Sequence, residues 1–255
     1  MRHRFKSIWL GLLAGALWAG ADVQARAQQA ATRADVAQDR ARASAQVPLD
    51  QLPPHLREGA RHTLEKPTVF SRGPAEAFAC DPAVYYYFLD HPDRAVNAWR
   101  RLGAKCLTIT DRGNGRFGWT DELGSDIVWE TVYRTPELRI WYAEGKARPS
   151  TVLPLVPVRA VVLMHHVEGR DRSGNPVIRH QTDMFLRTDS LAASLASKVM
   201  GGSPARLAEQ NLGQLQMFFA GLAWYLHRHP ERADVLLQES TDTAPPAPPE
   251  RPSGN

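Results

Sequence analysis

Residues 158–187 read VRAVVLMHHVEGRDRSGNPVIRHQTDMFLR. Two runs rich in Val, Leu, Ile and Phe, 158–167 and 177–187, flank a segment of Gly, Asp, Ser, Asn and Pro. That arrangement predicts two antiparallel strands joined by a short turn over Gly169–Pro176. If residues whose numbers sum to 346 pair across the turn, His166 lies opposite His180.

Working back from this hairpin, a proline-marked connection (Pro149, Pro154, Pro157) leads to more strand signals. Glu137–Lys146 alternates through Leu138, Ile140 and Tyr142, and Asp126–Arg134 through Ile127, Trp129, Thr131 and Tyr133. Arg116–Asp121 and Cys106–Thr110 extend the series around a turn at Asp111–Gly115. Upstream, Asp81-Pro82 caps a helix through Leu89, and His91-Pro92 restarts one that ends at Gly103. Thr68–Ser71 is a short strand before them. Downstream, Asp189 caps a helix over 190–200. Ser203-Pro204 then opens a long one to about His229, with a stripe of Leu207, Leu212, Leu215, Phe218, Phe219, Leu222, Tyr225 and Leu226. The expected class is α+β: a curved antiparallel sheet of about six to seven strands, two short N-terminal helices and a long C-terminal helix packed across it.

Outside this domain, placed at 48–238, the chain changes character. Arg2, Arg4 and Lys6 precede an uncharged apolar run from Ile8 to Ala21, and Ala25-Arg26-Ala27 offers a small-x-small cleavage site. Residues 1–27 therefore read as a secretory signal, too short in its apolar part for a membrane span. An uncleaved anchor is the alternative. Residues 28–47 form a low-complexity spacer or solvated helix. Residues 239–255 carry five prolines and read as an extended, disordered tail.

Cleavage after Ala27 removes Arg2, Arg4, Lys6 and Arg26 but only one acid, Asp22, which takes the formal charge from +4 to +1. The basic balance belongs largely to the signal, so it gives no support to nucleic-acid binding. Export places Cys80 and Cys106 in an oxidising compartment, where they either close a disulfide, the favoured reading, or stay as buried thiols.

The order of elements resembles the helix-grip fold of the START and Bet v 1-like superfamily over about 68–228. Pro82-Ala83-Val84 and the following Trp99 are similar to that family's opening helices. The resemblance implies a cavity between the sheet and the C-terminal helix that holds a lipid-like or aromatic molecule. Lining residues on that reading are Tyr133, Tyr142, His166, His180, Phe218 and Tyr225.

Several motifs carry chemistry only in the right context. Gly113-Asn-Gly115-Arg-Phe-Gly118 matches the dinucleotide fingerprint, but a strand follows it rather than a helix, so it reads as a hairpin turn. His91-Pro92-Asp93 is the J-domain tripeptide, yet the apolar helix before it lacks the basic face such a domain presents. It reads as a helix start. His165, His166 and His180 with Asp183 or Glu168 are metal-ligand types, but Asp183 and His180 have opposite strand parity and no preset ligand spacing exists. No metal or other cofactor is expected. There is no serine or cysteine nucleophile signature.

Among the carboxylates Asp126, Glu130 and Glu144, parity with Ile140 and Tyr142 makes Glu144 the inward one, and with His180 it forms the candidate acid–base pair of a cyclase or hydrolase. Three readings remain. The leading one is a secreted or periplasmic binding protein for a hydrophobic small molecule. The others are a secreted enzyme on the same scaffold, and a structural envelope protein whose interior is filled by its own side chains.

Overall fold

The computed structural model describes residues 34–148, 154–188 and 204–237. The expected signal segment, the helix over 190–200 and the proline-rich tail lie outside the described residues. The chain divides into two compact units at Asp50/Gln51. The first contributes helix α1 over 34–45, largely exposed as its Ala, Gln, Arg and Asp content requires.

The second unit is α+β. Helix α2 (Pro54–Glu65) is followed by two short strands, β1 (Val69–Arg72) and β2 (Glu76–Ala79). Helices α3 (Pro82–Asp90) and α4 (Pro92–Arg101) come next. The sheet continues with β3 (Ile109–Gly113), β4 (Arg116–Thr120), β5 (Asp126–Arg134), β6 (Leu138–Ala147), β7 (Val156–Arg170) and β8 (Pro176–Thr188). Helix α5 (Pro204–Arg228) and the single-turn α6 (Ala233–Leu237) close it.

All pairings are antiparallel, in the order β1-β8-β7-β6-β5-β4-β3, with β2 also on β8. β1 and β2 are one edge strand broken at Gly73-Pro74-Ala75. Gln216 of α5 occupies the break: its amide donates to the Pro74 carbonyl at 2.8 Å, and a Cβ on Gly73 would collide with its oxygen.

Local chemistry accounts for the boundaries. The Asp81 carboxylate accepts from the Ala83 N–H at 2.9 Å, and Pro82 and Pro92 sit in the first turns of α3 and α4. Gly103, at φ +87°, stops α4. Between β3 and β4, Asn114 and Gly115 both have positive φ, as a two-residue hairpin of the right twist demands. The Gly113–Gly118 motif is thus a hairpin turn, as its flanking strand suggested.

The sheet is covered on both faces. α2 packs on β7 and β8, and its Gly59 lets the Tyr142 ring approach too closely for any Cβ. On the other face α5 crosses β1, β2 and β8 beside α3 and α4. There Tyr85, Phe88 and Leu89 meet Trp141, Met164 and Ile178 from the sheet, and Phe219, Leu222 and Leu226 from α5. Burial of this apolar surface is the main drive for folding.

One irregularity matters for the site. Thr131 pairs with Trp141 but Tyr133 pairs with Ile140, so Val132 is an inserted residue, a β-bulge. Ile127, Trp129 and Thr131 share a face as expected. Tyr133 is moved by the bulge to the opposite face, with Ile140 and Tyr142.

Candidate functional site: a buried histidine–tyrosine cluster and an adjoining cleft

β7 and β8 pair with His166 opposite His180, on the face beneath α3. Both are buried. Tyr85 of α3 reaches down to donate its hydroxyl to His180 Nδ1 at 3.1 Å, and His180 Nε2 contacts the Glu76 carboxylate of β2 at 3.3 Å. His166 Nδ1 lies 3.2 Å from the Met164 carbonyl. A carbonyl only accepts, so Nδ1 carries the proton. Phe78 packs edge-on against the His180 ring at 5.0 Å and Tyr86 against His166 at 5.2 Å.

Burial sets the protonation states. It holds His166 down at about 4, with the Arg139 charge acting in the same direction against the Met164 hydrogen bond. It also lowers His180 despite the Glu76 partner, and pushes the Tyr85 and Tyr86 phenols up. Both imidazoles are therefore neutral at pH 7.

A carboxylate–imidazole–hydroxyl chain has the form of a proton relay. Here its hydroxyl end, Tyr85, is fully buried, and a nucleophile that meets no substrate has no reaction to perform. The chain fastens α3 and β2 to β8. A sign follows for pH. Unfolded His166 takes a proton near 6.5 and folded His166 only near 4, so stability drops as pH falls from about 6.5 to about 4, by about 3 kcal/mol in all. Urea midpoints at pH 7.5 and 4.5 check this. His166→Gln is expected to flatten the dependence, and an equally steep drop in that variant assigns it elsewhere.

Arg139 of β6, only 2% exposed, forms an ion pair with Asp90 at 2.7 Å, and Arg134 holds the same carboxylate at 2.7 Å. The Arg139 Nε has no hydrogen-bond partner among the described residues. Asp90, at the C-terminus of α3, opens onto a cleft of about 420 Å³. The β5 bulge supplies its Glu130–Arg134 wall, and Asn114, Gly115 and Phe117 of the β3–β4 hairpin the other. The bulge lets consecutive residues contribute, where a regular strand would offer alternate ones.

The residues expected from sequence divide between places. His166 and His180 are inside the cluster, as filled core. Tyr133 lines the cleft. Tyr142 lies under α2 on the opposite face, where its hydroxyl donates to Glu144 at 3.1 Å. Phe218 and Tyr225 are half-buried on α5. The Phe218 carbonyl accepts from the Trp99 indole at 2.8 Å, and Tyr225 stacks on His229 at 4.6 Å. The six do not converge on one cavity.

Glu144 is exposed and its face is opposite that of His180, so they form no acid–base pair. Asp183 also has its own partners on the far face. Arg72 donates to both its oxygens at 2.6 and 2.9 Å, and His165 contacts it at 3.2 Å. Burial raises that carboxyl, but the His165 and Arg72 contacts outweigh it and the net shift is downward. No group of metal-ligating residues occurs among the described residues.

The favoured disulfide is not formed: Cys80 and Cys106 are separate thiols. Cys80 follows β2 at one edge of the sheet, whereas Cys106 precedes β3 at the other. Cys80 is buried in the core, and burial together with the Asp81 charge pushes its thiol up to about 12.

Arg139, Asp90, Glu76 and Tyr85 were not foreseen. A signal existed for Arg139, which shares strand parity with Trp141. Such a charge on a core face needs a partner.

No protein-family model and no curated protein matches the chain. Among solved structures it is similar to a conserved protein from Geobacillus kaustophilus, at 10% identity and a TM-score of 0.42, over 61% of this chain and 93% of that one. It is also similar to a hypothetical protein from Helicobacter pylori, at 14% identity and a TM-score of 0.33, over 62% and 87%.

Proposed function

We propose that the chain is a secreted or periplasmic binding protein. Its ligand is a small molecule with an aromatic or apolar body and a charged group, held in the cleft at the β5 bulge. The observation that carries this is the cleft itself. It sets Phe117 and Val132 beside the Asp90–Arg134 pair and Glu130, within a volume of about 420 Å³. Small-molecule sites fall in that size range and combine apolar walls with a few oriented polar groups. The export reading rests on the basic start and apolar run of residues 1–27. The helix-grip resemblance is supported by the long helix crossing the sheet and by the order of elements. The ligand's place differs from the one that resemblance implies, since large side chains pack between sheet and α5.

Native mass spectrometry of residues 28–255, purified without detergent, tests the proposal. A mass excess lost on denaturation is expected, and extraction then names the ligand class. Phe117→Ala is expected to weaken retention about tenfold, the ~1.4 kcal/mol an aromatic contact is worth. Glu130→Gln distinguishes a cationic group from an anionic one by the direction of its effect. A bare mass overturns the binding reading in favour of a ligand-free structural protein, the second reading, which the tightly filled sheet–helix interior favours.

A further inference from the structure

Strand β5 outruns the neighbour on one of its sides. Its pairing with β4 runs from Thr120↔Asp126 to Arg116↔Glu130 and stops, because the chain turns at Asn114-Gly115. Thr131, Val132, Tyr133 and Arg134 continue past that turn, paired only with β6. No other strand, turn or loop among the described residues makes backbone bonds to their opposite side. Four residues of strand edge, about 13 Å, are therefore open within the outline of the sheet. The cleft of the proposed binding site lies along this edge. Residues 130–134 follow one another along one wall, so it meets main chain as well as side chains, and Asn114 and Gly115 close one end.

We infer that the ligand of this cleft is a short acidic peptide, bound in extended form as an added strand beside Thr131–Arg134. The inference rests on the binding reading above and names its ligand class. Three observations select that occupant. The first is the edge itself. Open N–H and C=O groups of a strand pair with another extended chain, and a ligand without amides leaves them unused. The second is length. The hairpin tip blocks the edge at Glu130, so three or four residues fit and a long chain cannot run straight through.

The third is charge. Arg134 and Arg139 share the Asp90 carboxylate, at 2.7 Å each, and the Arg139 Nε has no hydrogen-bond partner among the described residues. Two guanidiniums thus stand against one carboxylate, with Arg134 exposed at the open end of the edge. An acidic side chain of the peptide supplies the second carboxylate in a geometry that arginine binds well. Glu130 does not oppose it directly, since its partner across the pairing is Tyr142, on the other face of the sheet. Strand alternation sends the remaining peptide side chains towards Phe117 and Thr131 on one face and Tyr133 on the other.

The test titrates the 15N-labelled full chain with the probe acetyl-Val-Glu-Val-Thr-amide. The amides of Thr131–Arg134 are expected to shift and to gain protection from hydrogen exchange. Two N-methylated forms of the probe, one for each alternate set of its amides, are expected to differ. One weakens about tenfold and the other keeps its affinity, because an added strand turns only every second N–H to its neighbour. Replacing the probe's Glu by Gln is expected to weaken it about fivefold in the wild type and not in Arg134→Gln. Arg134 has 54% of its side chain exposed, so this variant leaves the core intact. Equal affinity of the two methylated forms overturns the inference, as does a Gln probe that binds as well as the Glu probe. Edge amides indifferent to the probe, beside a persistent mass excess of the purified protein, overturn the peptide and leave the binding reading standing. The same indifference with a bare mass overturns both.

Discussion

Tyr85→Ala is expected to lower the unfolding free energy by about 3–5 kcal/mol, the range for truncating a fully buried aromatic ring. Tyr85 is among the largest side chains with no exposure. It touches Phe78, Tyr86, His166 and His180 at once. Truncation opens a void between α3 and the sheet and strips His180 Nδ1 of its donor. Tyr85→Phe separates the two effects. It keeps the ring and removes only the hydroxyl, for a loss of about 1–3 kcal/mol from an unpaired buried nitrogen. Urea titration followed by far-UV circular dichroism reads both. A Phe variant as damaged as the Ala variant shifts the weight from packing to the hydrogen bond. An Ala variant within 1 kcal/mol of wild type denies the cluster its structural role.

Asp90→Ala is the second large effect, about 3–5 kcal/mol, by a different route. The residue itself is partly exposed, but its removal strands the guanidinium of Arg139 inside the protein. Burial already lowers Arg139 against the support of Asp90. The double variant Asp90→Ala with Arg139→Met is expected to recover most of the loss, because the uncompensated charge goes with the arginine. That non-additivity is the signature to look for. If the double variant is as unstable as the sum of the singles, the pair is not coupled. Asp90 also lines the cleft, so ligand retention is best compared in the recovered double variant.

Much of the second unit was legible because its signals are local. β5 runs Asp126–Arg134 as the alternation indicated, and the 158–187 hairpin forms with His166 opposite His180. That register, residues summing to 346, was one of the pairings the turn allowed, and a shift by one would have put the two histidines on opposite faces. The long helix begins at Pro204, at the serine–proline signal. The misses have different causes. α2 was given no element: it holds Leu56, Ala60 and Leu64 at helical spacing, but charged residues and histidines dilute that stripe. β2 offers one large apolar residue, Phe78, in four. β3 begins three residues later than Cys106, where the pairing with β4 starts rather than where the apolar run does.

The site was harder to read than the fold. Parity correctly separated His180 from Asp183, yet the bulge at Val132 moved Tyr133 to the other face. A bulge is a property of the pairing, so no residue type marks it in the sequence. The cleft depends on that bulge and on an ion pair between residues 90 and 139, far apart in the chain. The buried cluster joins β2, α3, β7 and β8 through contacts of the same long range.

The interruption at Gly73-Pro74-Ala75 bears on how the molecule avoids sticking to itself. An unbroken outer strand beside β8 would present a row of free amides and carbonyls to any other extended chain. Instead, two four-residue pieces are offset by a proline that has no N–H to offer, and Gln216 ties down its carbonyl. The opposite margin, β3, has only five residues, a register shift, and Asp111 and Arg112 on show. Neither margin is long or regular enough to seed a growing stack of strands. A substitution that straightened the first, such as Pro74→Val, would give up that safeguard along with the turn.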